Sequence, residues 1–306
     1  MSYEVRIDVS PVYELLGSFM VYVTKKWVRD MDMGSQWIEE VDGRLSPEVN
    51  SALAQAKDWP FNDYDVLYAW AICRPADTDE IKEYLDYLEE GLDQDMYDLI
   101  VHHVPFLTLE DSIRIRRDYT PLLRSWYRDY FRSLEHSMRV LAEEDAAEKR
   151  MLLTKMEPEA LVEYATAGLV VPHLDALDTV VLFPIVHNRP INTYCFYSRT
   201  LLIQYPVDVP EESEDDPPTT LLRLTRAVAE PERLRLLRYV AEEPKSLADM
   251  RKDLKKDDDE LMSDLMILRV AGMLRIHIGR YQKEKFSIRP EGAADLQMFL
   301  ETYIRL

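Results

Sequence analysis

A run of acids followed by paired prolines divides this chain. Asp208 to Asp216 holds six carboxylates in nine residues, and Pro217-Pro218 follows. Repelling charges and two rings that fix φ cannot sustain a helix or an interior strand, so the segment reads as an extended linker or exposed loop. Charge differs sharply on its two sides. Residues 1–218 carry 20 bases against 42 acids, and residues 219–306 carry 17 against 15. The pattern predicts an acidic, mainly helical domain over 1–207, a linker over 208–218, and a second domain over 219–306.

The overall balance of −20 argues against a protein that coats nucleic acid non-specifically. Uncharged stretches such as Thr179 to Asn188 reach about ten residues, half of the ~20 that span a bilayer, so no membrane partner is expected. The first residues lack the basic and apolar regions of a signal peptide. Cys73 and Cys195 are the two cysteines, too few for a disulfide framework and suited to a reducing compartment. Together these features predict a cytoplasmic protein.

Within the acidic part, Tyr3 to Val9 alternates as a half-buried strand. Ser10-Pro11 and Ser46-Pro47 each offer a cap and a first-turn proline for a helix. Asp77 to Glu90, Asp93 to His103 and Leu109 to Ile115 carry helix-period apolar residues. Pro121 either opens a long helix toward Lys155 or breaks one begun near Asp111. Around it stand Tyr119, Trp126, Tyr127, Tyr130 and Phe131, a spacing that suits core or dimer packing more than a ligand pocket. Thr179 to Val186 and Thr200 to Val207 read as strands, Asn192 to Tyr197 as a third, and His187-Asn188-Arg189-Pro190 as a turn. The fold class is therefore α+β, mainly helical, with a small sheet near the ends of this domain.

Patterns for chemistry are missing. Eight glycines form no phosphate loop, and no Gly-x-Ser-x-Gly elbow occurs. His102-His103 are adjacent, and neighbours on a helix point about 100° apart, which prevents joint chelation. His173, His187 and Cys195 read as turn and core residues, and acid pairs such as Glu89-Glu90 as solvated faces. The expectation is no catalytic residue, no metal, no cofactor and no enzymatic activity; no pattern identifies a small-molecule effector.

From Thr219 the elements are short and well punctuated. Leu221, Leu222, Leu224, Val228 and Ala229 line a first helix, and Pro231 opens a second. Ser246 caps a third over Leu247 to Leu254, Lys255-Lys256 turns the chain, and a fourth helix runs to Gly272. Met273 to Ile278 and Tyr281 to Ile288 form a hairpin about Gly279-Arg280, and Pro290 opens a last helix. This order predicts a C-terminal winged helix-turn-helix, with its fourth helix in the major groove and its hairpin tip on the flanking backbone.

The run Leu-Thr-Arg-Ala-Val-Ala-Glu-Pro-Glu-Arg-Leu-Arg-Leu-Leu at 224–237 resembles the opening of ArsR/SmtB-type winged-helix regulators. Leu265 to Leu274 is similar to the end of that family's recognition helix, and Gly279-Arg280 to its wing tip. The likeness spans residues 220–306, and the upstream part is similar in layout to longer members with an added N-terminal domain. It implies a homodimer, joined partly through the first and last of these helices, on a double-stranded inverted-repeat operator. The apolar faces of Thr219–Ala229 and Pro290–Ile304 suit that role; packing within one monomer is the other reading.

Two departures qualify the likeness. This region has no cysteine and one histidine, His277, so thiolate or helix-borne metal sensing is not expected. Its fourth helix opens Asp257-Asp258-Asp259-Glu260, where the family is rich in Ser and Thr. Those acids offset the helix dipole but repel a polyanion. DNA binding would then rest on Lys255, Lys256, Ser263, Arg269 and the wing residues Arg275, Arg280, Lys283 and Lys285. The alternative is a winged helix that binds protein through its acids.

Overall fold

Alternating and continuous apolar runs are sorted by burial into two sheets, one in each of two units. The computed structural model describes residues 3–305 except 76, 77, 79, 175, 211, 212, 214 and 281. The larger unit comprises residues 3–151 and 176–208; the other holds 152–174 and 209–305.

The larger unit opens with β1 (Glu4–Ile7) and α1 (Pro11–Thr24), whose first turn the Ser10 side chain caps as expected. Then come α2 (Gly34–Asp42), α3 (Pro47–Ala56, capped by Ser46), α4 (Asp63–Ile72), α5 (Ile81–Glu90) and α6 (Asp93–Ile100). The helices α7 (Leu109–Asp129) and α8 (Glu135–Leu153) are the longest. Pro121 neither opens nor breaks a helix: it lies inside α7, which the Thr108 cap starts and which ends at Tyr130. Burial of Ile115, Tyr119, Leu123 and Trp126 along α7 offsets the one hydrogen bond a proline removes.

The smaller unit takes α9 (Pro158–Ala165) and β2 (Leu169–Val170). The chain then returns to the larger unit for β3 (Thr179–Ile185), β4 (Thr193–Phe196) and β5 (Thr200–Pro206). The sheet order is β1-β3-β5-β4, parallel except for β4. Parallel β3 and β5 are buried and largely apolar, as strands covered on both faces are, with Gln204 of β5 the polar exception, bonded to Asn188 and to the Ile191 carbonyl, whereas β1 alternates at the edge. Buried from Pro11 to Val23, α1 is the central helix of this unit. Tyr119, Trp126, Tyr130 and Phe131 are core residues; the Trp126 indole N–H donates to Ser18 Oγ at 3.1 Å.

Glu14 on α1 supplies the one carboxylate needed at the end of β3. It accepts the backbone N–H groups of Val186 (2.7 Å) and His187 (2.9 Å) and meets His187 Nδ1 at 2.5 Å. His187 Nε2 lies 2.8 Å from the Tyr130 hydroxyl, which accepts the Trp37 indole N–H at 2.7 Å. Both ring nitrogens of His187 are thus engaged, Nδ1 with Glu14 and Nε2 with Tyr130. The turn His187 to Pro190 is thereby tied to the helix core.

The smaller unit continues with α10 (Thr219–Val228), α11 (Pro231–Val240), β6 (Lys245–Ser246), α12 (Leu247–Leu254) and α13 (Asp258–Val270). It closes with β7 (Leu274–His277), β8 (Lys285–Ile288) and α14 (Pro290–Tyr303). Its sheet order is β2-β7-β8-β6. One sequence-based boundary is thus corrected: residues 152–174, expected in the 1–207 domain, fold with the carboxy-terminal elements. The reason is a backbone requirement. Ile276 and Ile278 N–H groups of the second sheet donate to the carbonyls of Gly168 (2.8 Å) and Val170 (3.1 Å), closing an edge of β7 that would otherwise stay open.

Gly168 makes that approach feasible. Its φ is +131°, and a Cβ there would stand 2.2 Å from the Leu274 carbonyl oxygen. Gly168→Ala is expected to destabilise the β2–β7 junction by about 2 kcal/mol or more. Amide exchange at Ile276 and Ile278 should then accelerate by over about tenfold. Gly34→Ala, at φ +60° in open space, is the control and should leave both amides unchanged. Unchanged exchange in Gly168→Ala would contradict the pairing.

Candidate nucleic-acid interface

Short polar caps position the helix pair α12–α13. Ser246 Oγ accepts the Asp249 N–H at 3.3 Å while an Asp249 oxygen accepts the Ser246 N–H at 3.0 Å, a reciprocal cap. Lys255, at φ 54°, ends α12, and Asp257 caps α13 by accepting the Glu260 N–H at 2.8 Å. Three residues therefore join the two helices. Leu261, Leu265 and Leu268 bury one face of α13. Its other face exposes Asp258, Asp259, Met262 and Ser263, with Met266 and Arg269 half-buried.

The structure separates the eight candidate contacts. Lys255, Ser263, Lys283 and Lys285 are exposed; Arg269 and Arg280 are half-buried. Lys256 is committed within the fold: its ammonium lies 2.7 Å from Glu260, 3.4 Å from Asp264 and 3.7 Å from Glu232. Those carboxylates hold the lysine in its charged form, its pKa raised chiefly by the Glu260 hydrogen bond. Asp264 is shared with Arg233, whose guanidinium also donates to the carbonyls of Ala227 (2.9 Å) and Arg226 (2.7 Å). Arg275 is committed as well, 2.5 Å from Glu163 of α9 and 3.4 Å from Glu291 of α14. Glu163 lies 112 positions before Arg275 in the chain, and no local pattern announces the pair.

The closing helix is sparsely covered. Gly292 is the buried residue that α14 contributes; Leu296, Phe299 and Tyr303 are half-buried, and Met298, Leu300 and Ile304 are exposed. By contrast α10 buries Leu221, Leu224 and Ala227 within the monomer and leaves Leu222 exposed. Arg289 fixes the start of α14 by donating to the Gly272 carbonyl and pairing with Asp295, both at 3.0 Å.

The other residues singled out for chemistry are dispersed. His187 is buried in the larger unit, and His173 is exposed in the smaller one. Burial drives the Cys195 thiol far above its ordinary range and the Cys73 thiol up to about 11, which disfavours the nucleophilic thiolate of either. His102 and His103 lie in the turn after α6, their ring centroids 5.8 Å apart. Among the described residues no group of three or more His, Cys, Asp or Glu is arranged to hold a metal ion. Nor is any helix among them long and apolar enough to cross a membrane.

His277 of β7 meets Ser287 Oγ at 2.8 Å. Burial first, and then the Arg275 cation, hold its imidazole below the ordinary 6.5. As pH falls through that value, the unfolded chain takes up a proton that the folded strand resists. Its contribution to stability is therefore present above the unfolded pKa and lost below it. Unfolding of wild type and His277→Gln should show a stability difference that changes between pH 8 and 5.5; a constant difference would remove the linkage.

No protein-family model, curated protein or solved structure matches this chain.

Proposed function

We propose that this chain is a winged helix-turn-helix transcriptional regulator of the ArsR-like type, acting in the cytoplasm as a homodimer on an inverted-repeat DNA operator. The observation that carries the reading is one arrangement: α11, β6, α12, α13 and the β7–β8 hairpin in that order, with β6 paired to β8. A three-residue helix connection beside a hairpin sheet is the form in which a helix enters a major groove while a wing reaches the flanking backbone. The uncovered apolar side of α14 supports a two-fold dimer contact, which would space two α13 helices about one DNA turn apart.

Phosphate contact in this account rests on Lys255, Lys283, Lys285, Arg269 and Arg280, with Ser263 at the bases. Lys256 and Arg275 are structural cations and leave the set. The test is binding to the DNA upstream of the chain's own gene, titrated over several salt concentrations. Lys285→Ala should lower the slope of log affinity against log salt by about one, and Arg275→Ala should leave it unchanged. Equal slopes for wild type and Lys285→Ala would contradict the wing contact.

One observation favours a second reading, in which α13 binds a basic protein. Asp258 and Asp259 stand beside exposed Met262, and the nearest lysine, Lys256, is already held by three carboxylates. The double change Asp258→Ser, Asp259→Ser separates the two. It should strengthen DNA binding under the first reading and abolish partner binding under the second.

A further inference from the structure

Helix α7 borders a cleft of about 420 Å³ in the larger unit, against the end of α5 and the start of α6. Its walls carry both signs of charge. Arg116, Arg117 and Arg124 come from α7, and Glu89 and Asp93 face them. Two of the guanidinium groups are fixed before any ligand arrives. Arg116 donates to the carbonyls of Leu88 (2.8 Å) and Gly91 (2.6 Å) and pairs with Asp93 at 3.0 Å. Arg124 pairs with Asp86 at 2.7 Å and with Glu89 at 2.5 Å. Arg117 pairs with neighbouring Asp118 and keeps 70% of its side chain exposed.

The remaining wall is apolar, from Leu88, Ile113 and Pro121, and beside it stands an unmet hydrogen-bonding group. Thr120 is 3% exposed, and its hydroxyl has no hydrogen-bond partner among the described residues. A buried hydroxyl left without a partner is costly unless something meets it.

We propose that this cleft binds a small zwitterion with an apolar side chain, of the α-amino-acid class. A carboxylate has the guanidinium groups and the Thr120 hydroxyl, an ammonium has Glu89 and Asp93, and the side chain has the Leu88–Ile113–Pro121 wall. Charge selects the class. A simple anion would meet the cleft's acids and the field of a chain with net charge −20, and a simple cation would meet three arginines. A zwitterion satisfies both signs without changing the local balance. The proposal concerns the larger unit alone and stands apart from what the smaller unit binds.

The test is calorimetric titration of the full chain with L-valine, L-leucine, L-methionine and L-phenylalanine. For each that binds, its amide, which lacks the carboxylate, and its deaminated acid, which lacks the ammonium, are titrated as well. At least one amino acid should bind saturably, and both analogues should bind about tenfold or more weakly. Arg117→Gln and Thr120→Val, neither of which removes a fixed ion pair of the core, should each weaken the parent by about threefold or more while the circular dichroism stays unchanged. Failure of all four amino acids would overturn the proposal. So would an analogue that binds as tightly as its parent, or parent binding unaffected in both variants.

Discussion

A strand has two hydrogen-bonding edges, and on β7 both are taken: β8 pairs along one, and the two residues of β2 along the other. The rest of the smaller unit depends on that second pairing. It brings α9 with it, and with α9 comes Glu163, which captures Arg275. A hairpin that would otherwise present an open edge and a free arginine presents neither. The segment that achieves this also crosses back and forth between the two units, since residues on either side of 152–174 belong to the larger one. Covering an edge is a common protection against strand-to-strand association. Here it also gives Arg275 of the hairpin a carboxylate partner.

The electrostatic consequence is quantitative. Residues 152–175 contain one base, Lys155, and four acids, and residues 209–218 add five acids more, so the residues of the smaller unit carry 18 bases against 24 acids, a balance of −6. Any DNA affinity must therefore come from placement rather than from net charge. Exposed Lys255, Lys283 and Lys285 can act at short range because salt screens the more distant acids of the chain within about 10 Å at 0.1 M. The acids of α13 have a different partner. Asp257 caps the helix, Asp258 lies 3.3 Å from Arg251, and Asp264 and Glu260 hold Lys256, so several of these charges are partly neutralised inside the fold. Asp259 at the exposed face keeps the clearest conflict with phosphate.

Local chemistry in the sequence located most elements. Ser10, Ser46 and Ser246 cap helices where their side chains predicted, and the largely apolar runs of β3 and β5 are parallel interior strands. What escaped was non-local. Two residues, Leu169 and Val170, are too short a run for strand periodicity, and their partner Ile276 lies more than a hundred positions away. The same holds for Glu163 with Arg275 and for Glu14 with His187, each a pair whose members look unremarkable alone. Pro121 misled for another reason: a proline reports a lost hydrogen bond, and only the packing of α7 shows that the helix bears the loss. Of the candidate contacts, Lys255, Ser263, Lys283 and Lys285 are exposed, while Lys256 and Arg275 pair with carboxylates, Arg275 with one that no local pattern announced.

The central claim is that the α11–β6–α12–α13–β7–β8 arrangement reads duplex DNA as a symmetric dimer. Selection of bound fragments from the sheared genome by the purified full-length chain, followed by footprinting of the enriched fragments, tests it most directly. The account expects a small set of fragments sharing an inverted repeat, with half-site centres about one helical turn apart. No enrichment over input, or protection of a single unpaired site, would contradict it.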